Sequence, residues 1–243
     1  MNHPVNDQLR REYLTALGID VWRSRDAADE PDVIEAEADA AQLQESPAAV
    51  TPRGDVALLD WRGLRETVAS CTACSLHETR TQTVFGVGQE TADLMIIGEA
   101  PGAEEDRRGE PFVGRAGQLL DEMLRAIGLD RNTVFIANVL KCRPPGNRDP
   151  KPAEAERCRP FLDRQIALLK PKVILAVGRI AAQQLLGGDL PLGRMRGKQH
   201  VLKEYAAPIV VTYHPAYLLR SPSQKRKSWQ DLCLARDLLR EAV

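Results

Sequence analysis

The chain of 243 residues has no long hydrophobic run and no N-terminal signal pattern. No stretch approaches the ~18 apolar residues of a membrane-spanning helix, so a soluble, cytoplasmic protein with no membrane association is expected. It has no internal repeat, which argues against solenoid and propeller architectures. It also has almost no net charge, at −1, but that total conceals a segregation. Between Asp26 and Pro52 there is no Lys or Arg beside eight acids. Residues 1–56 hold 5 basic and 12 acidic residues, leaving 28 and 22 for the rest. The remainder is therefore basic, which permits an anionic partner such as nucleic acid without establishing one.

What is present is an ordinary globular composition, 43% apolar and sufficient for a core. The length suits one sizeable domain with extras, or two small ones. Residues 1–24 read as a short amphipathic helix with Leu9, Tyr13, Leu17 and Trp22 apolar. Such a helix either packs on the main domain as a satellite or docks a partner protein. Residues 25–56, rich in Ala, Pro and Glu, read as an acidic disordered linker. From Leu58 the pattern becomes periodic, and "LLDWRGLRETVASC" reads as a helix running into Cys71. Four apolar runs bounded by turn residues follow, at 93–99, 133–141, 172–178 and 208–215. Helical periodicity occupies about 115–127, 153–169, 179–187 and 223–242. Strands alternating with helices predict an α/β domain over 57–243, with a parallel sheet covered on both faces. Ligands in such folds sit beyond the carboxyl ends of the strands. Those ends read Gly98-Glu99, Asn138, Gly178 and His214-Pro215.

Two features carry chemistry. The first is the connection "GEAPGAEEDRRGEPFVGRAGQLL" after the first strand, whose Gly and Pro residues suit backbone held against a ligand. The second is a cysteine pattern, C-x2-C-x67-C-x15-C, formed by Cys71, Cys74, Cys142 and Cys158. In a reducing compartment these four thiols are better metal ligands than disulfide partners. Zinc and a 4Fe–4S cluster both accept four thiolates, and spacing does not separate them. Four buried core cysteines are the alternative. Cys233 reads as a core residue of the last helix, and His77 as a surface histidine.

Three separated motifs, "GEAPGAEEDRRGEPFVGRAGQLL", "NVLKCRPPGNRDP" and "HPAYLLR", together with the four cysteines, resemble the family 4 uracil-DNA glycosylases over roughly residues 60–240. The resemblance implies a four-stranded parallel α/β/α sandwich and removal of uracil from single- or double-stranded DNA in base excision repair, by a monomer. It implies a structural 4Fe–4S cluster on Cys71, Cys74, Cys142 and Cys158. It places Glu99 near the reacting sugar, Phe112 on the face of uracil, Asn138 at the uracil edge and His214 at O2. Glu105 and Asn147 match positions implicated in activity or substrate choice. The backbone of Gly98, Ala100 and Gly102 lines the base, and Leu219 or Arg220 fills the space a flipped nucleotide leaves. Ala100 departs from the wider superfamily, where an Asp positions the attacking water; Glu99 and Asn147 are the substitutes on offer.

Each residue type suits that chemistry. A base inside a duplex must be flipped out, at a few kcal/mol, before it can be reached. An aromatic platform recovers ~1–3 kcal/mol by stacking. An amide offers one donor and one acceptor, matching uracil O4 and N3–H but not cytosine. Donors aimed at O2 stabilise the departing uracil anion. Leu218, Leu219 and the basic run Lys225–Lys227 suit a wedge beside phosphate contacts. Two other readings stand beside this one: a nucleic-acid-binding module with a structural metal, and a relative acting on another deaminated base. No basic, His-containing insertion follows Cys142, as a covalently trapping relative would carry.

Overall fold

A computed structural model describes residues 56–201 and 207–242. The expected helix at 1–24 and the linker expected over 25–56, all but its last residue, lie outside the described residues. Val56 is 2% exposed and packs in the core, so the folded domain takes in at least one residue more than the expected start at 57.

The central strands are β2 (Leu94–Gly98), β3 (Phe135–Asn138), β4 (Val173–Val177) and β6 (Ile209–Thr212), with every residue buried. Continuous apolar runs of this kind belong to strands covered on both faces. Two short strands flank them, β1 (Val87–Gly88) and β5 (Gln199–His200), giving the order β1-β3-β2-β4-β6-β5. The four inner strands are mutually parallel, as the sequence predicts, and the two edge strands are antiparallel to their neighbours. Two residues carry no readable period, so the edge strands escape detection in the sequence.

Side chains alternate between two cores because successive strand residues point to opposite faces. Met95, Ile97, Ile174, Ala176, Ile209 and Val211 face one side. There they meet helices α1 (Trp61–Ala69), α4 (Pro152–Leu169) and α5 (Arg179–Leu186). Leu94, Ile96, Val173, Leu175 and Val210 face the other side. They meet α3 (Arg115–Ala126) and α8 (Lys225–Glu241). Helix α1 starts later than the apolar pattern suggests, at Trp61. Asp60 caps it by accepting from the Gly63 N–H at 2.8 Å, and Leu58 is left exposed.

Three short helices lie in the connections: α2 (Ala103–Arg108), α6 (Leu192–Met195) and α7 (Pro215–Arg220). The register brings the strand ends level. Gly98 pairs with Asn138, Ile97 with both Ala137 and Ala176, and Val177 with Thr212. Strand β2 leads first to β3 on one side and then, through α4, to β4 on the other. Chain direction therefore diverges at the carboxyl end of β2, where an open α/β sheet forms its crevice.

Candidate active site

A cleft of about 500 Å³ opens at that end of the sheet. It is lined by Glu99, Ala100 and Gly102 after β2, Phe112 before α3, Asn138 ending β3, and Asn147, His214 and Arg220. Three of the four inner strands thus deliver a polar side chain or a loop to one place.

The Phe112 ring reaches the cleft because its backbone is held in a left-handed conformation, φ 53°, which is costly for a bulky residue. Arg131 donates to the carbonyls of Phe112, at 3.1 Å, and of Pro111, and pairs with Asp121 at 3.1 Å. From the other side, Glu105 Oε1 accepts from the N–H groups of Val113 (3.0 Å) and Gly114 (3.2 Å). Its Oε2 accepts from Gly102 at 3.1 Å. The turn also needs glycine at 117, where a Cβ would sit 1.7 Å from the Phe112 carbonyl oxygen. The ring stacks on His214, with centroids 5.6 Å apart and planes 28° from parallel.

Asn138 lies beneath this ring and is 2% exposed. Its Oδ1 has no hydrogen-bond partner, although a buried acceptor normally finds one. Gly98 makes the arrangement possible, since a Cβ there would lie 2.3 Å from that oxygen and 2.6 Å from the Phe112 ring. The cleft therefore holds an unpaired acceptor and an aromatic ring on either side of Gly98, a setting that suits a flat ligand with an N–H to donate.

His214 caps α7, its Nδ1 accepting from the Ala216 N–H at 3.1 Å. Burial, helped by the charge of Arg220, pulls the imidazole down to about 4. A neutral ring whose Nδ1 accepts carries its proton on Nε2. Burial, with Asp149 adding repulsion and Arg179 opposing it, pushes the Glu99 carboxyl up to about 7. Asp149 and Arg179 pair with each other at 2.9 Å. Asn147 is exposed, and its Oδ1 accepts from Arg143 Nε at 2.8 Å. The loop carrying it is anchored by Arg148, which grips Glu154 with both terminal nitrogens, at 2.9 and 2.6 Å.

The four cysteines form a second site. Cys71, Cys74, Cys142 and Cys158 line one small enclosed cavity with Val68, Arg80, Lys141 and Phe161. All are free thiols, and Cys142 and Cys158 are buried. Arg80 Nη1 lies 3.0 Å from Cys142 Sγ, and the Lys141 N–H donates to Cys158 Sγ at 3.3 Å. Burial pushes the thiols of Cys74 and Cys142 up, and that of Cys158 up to about 12. Donors aimed at sulfur, beside the guanidinium of Arg157, suit a cage of thiolates better than one of neutral thiols. The sulfurs ring a cavity. Among the described residues, no three His, Cys, Asp or Glu are grouped as ligands of a single metal ion.

Residues 85–235 match the model of the uracil DNA glycosylase superfamily. A type-4 uracil-DNA glycosylase of Archaeoglobus fulgidus is 46% identical over 170 residues, 68% of this chain and 85% of that protein. One of Pyrobaculum aerophilum is 44% identical over 182 residues, 72% and 93% of the two chains. One of Thermotoga maritima is 44% identical over 161 residues, 66% and 83%. The chain belongs to the type-4 uracil-DNA glycosylase family.

Set in this glycosylase fold, the residues singled out in the sequence separate into groups. Glu99, Ala100, Gly102, Glu105, Phe112, Asn138, Asn147, His214 and Arg220 all line the cleft. Gly98 lies beneath it, and the Gly102 N–H is already given to Glu105. Leu219 is 38% exposed and stands outside the lining, whereas Leu218 is buried in the core. Beside Glu105, Glu104 pairs with Arg107 on the surface and Asp106 is buried, accepting from the Thr81 N–H at 3.0 Å. Sequence reasoning missed Arg131, Glu154 and Lys141. Arg131 meets Pro111, Glu154 meets Arg148 and Lys141 meets Gln165 across 20, 6 and 24 residues of sequence, relations that periodicity does not encode.

Proposed function

We propose that this protein hydrolyses the N-glycosidic bond of uracil in DNA, the activity named for its type-4 relatives. The observation that carries the reading is the buried, unpaired Oδ1 of Asn138 beneath the Phe112 ring. With the amide oxygen accepting from N3–H, its nitrogen faces O4 as a donor. Cytosine presents the reverse pattern and leaves both groups unpaired. The flipped base stacks on Phe112, which offsets part of the cost of extrusion. Arg220 supplies positive charge at the cleft rim for a flanking phosphate.

Bond breaking develops positive charge on the sugar and negative charge on uracil O2. His214, neutral with its proton on Nε2, donates to O2 and stabilises the anion without needing to be protonated first. Glu99 serves the other end of the bond. As a carboxylate it stabilises the cationic sugar and accepts the proton of the attacking water. Asn147 is less suited to that role because its Oδ1 is engaged with Arg143. Glu105 supports the Phe112 loop through three backbone N–H groups.

The cysteine cage fits a 4Fe–4S cluster, held by Cys71, Cys74, Cys142 and Cys158. Bound there, the cluster supplies cross-links between the loop after α1, the exit of β3 and α4. Two of its four donors, Cys142 and Cys158, are buried and met by N–H groups, which accords with a structural group.

The deciding experiment incubates purified protein with a uracil-containing oligonucleotide, followed by hot alkali. Uracil-dependent strand scission is expected; retardation of the oligonucleotide without scission would show a binding module instead.

A further inference from the structure

Between the cleft and the cysteine cage lies a buried cation that the chemistry above does not use. Lys141 is 1% exposed. Its Nζ donates to the backbone oxygen of Asn138 at 2.8 Å and to Oε1 of Gln165 at 2.6 Å. Gln165, itself fully buried, is fixed by donating from Nε2 to the Phe85 carbonyl at 2.9 Å. A buried ammonium is expensive, and a Leu or Met would fill the same space at lower cost. Its value here lies in where its donors point.

The target is the main chain of the base-reading residue. On its inner side β3 continues to pair past Asn138, Val139 donating to Gly98 and Leu140 to Glu99. On its outer side β1 pairs only with Phe135 and Ile136. The chain before β1 meets this side again at Lys141, whose carbonyl accepts from the Val84 N–H at 2.8 Å, and in the interval between the two the Asn138 carbonyl is held by the Lys141 ammonium. The Asn138 Oδ1 has no partner to steady it, so the direction of the amide depends on the backbone and on the close approach of Gly98.

We propose that Lys141 is a positioning residue for base recognition: by holding the Asn138 carbonyl, it sets the direction of the amide that reads uracil. This rests on the function proposed above and adds a residue to it. The lysine also ties the reader to the cage, since its own N–H meets Cys158 Sγ and Cys142 is its neighbour in the chain.

The test is a double-mutant cycle between Lys141→Met and Asn138→Ala. It is read by single-turnover uracil excision, by inhibition with free uracil, and by binding to DNA carrying an abasic site. Lys141→Met should slow excision by about 10²-fold, the scale of a misplaced reacting geometry. Inhibition by free uracil should weaken in parallel while abasic-site binding is unchanged. In the Asn138→Ala background the lysine substitution should have no further effect on excision. Losses that add across the cycle, or that follow abasic-site binding, would overturn the proposal. If Lys141→Met does not fold, Gln165→Met, which removes one of the two acceptors, enters the same cycle with a smaller loss expected. A parent protein that leaves uracil in DNA defeats the function itself. A parent that excises it while the losses add defeats only the role of Lys141.

Discussion

Replacing one hydrogen of Gly98 by a methyl group would place carbon 2.3 Å from Asn138 Oδ1 and 2.6 Å from the Phe112 ring, so both must move. Gly98→Ala should therefore slow excision by about 10²-fold while DNA affinity is retained, as single-turnover rates and equilibrium binding would show. Asn138→Asp replaces the amide donor by an acceptor and should cut uracil excision by orders of magnitude; an unchanged rate would remove Asn138 from base reading. Titration of Glu99 has two separable consequences. Its carboxyl, held up to about 7, must ionise to act, so the single-turnover rate should climb with pH and level off above that value. Glu99→Gln should abolish the climb. For stability the sign is opposite. The fold favours the protonated acid, so this contribution is complete below the ordinary value of 4.5 and is lost as pH rises through about 7. Glu99→Gln should consequently be more stable than the parent at alkaline pH and equal to it below 4.5, as denaturant midpoints would report.

Among the elements, the loop from α2 to α3 carries the heaviest constraint, because it holds a phenylalanine at φ 53° by contacts from both sides. Arg131→Ala leaves two carbonyls without their donor and should destabilise the fold by about 1–3 kcal/mol. Excision should fall further than DNA affinity, since the stacking platform loses its anchor; an equal fall in both would place Arg131 in DNA binding. Legibility in the sequence follows element length and polarity. The inner strands were readable because three to five consecutive apolar residues between turn signals suit little else, and α3, α4 and α8 because their apolar period runs for three turns or more. Helix α2, "AEEDRR", has no apolar face to betray it, yet it supplies Glu105 and the buried Asp106. The cleft was legible where motifs ended strands, at Gly98, Asn138 and His214. Its supports, Arg131, Glu154 and Lys141, were not, because an arginine on a carbonyl 20 residues away looks like any surface charge until the chain is folded.

At the scale of the whole molecule, the cysteine cage joins three segments distant in sequence, so the free energy of whatever fills it is folding free energy. Protein purified in air should be brown with iron and sulfide, and Cys142→Ala should lose colour and solubility together; a colourless, fully active protein with stoichiometric zinc would contradict the cluster. The fixed geometry around Phe112 bears on how the protein searches DNA. Its carbonyl, its flanking N–H groups and the glycine floor beneath it are all engaged within the protein itself. Nothing in that recess has to be assembled when a base arrives. Selection then works as a sieve rather than a latch. On the reading proposed above, a cytosine presented to the recess leaves the Asn138 amide unpaired and is turned away, and the protein needs no recovery step before testing the next nucleotide. The time spent on each undamaged base is then set by how readily DNA opens.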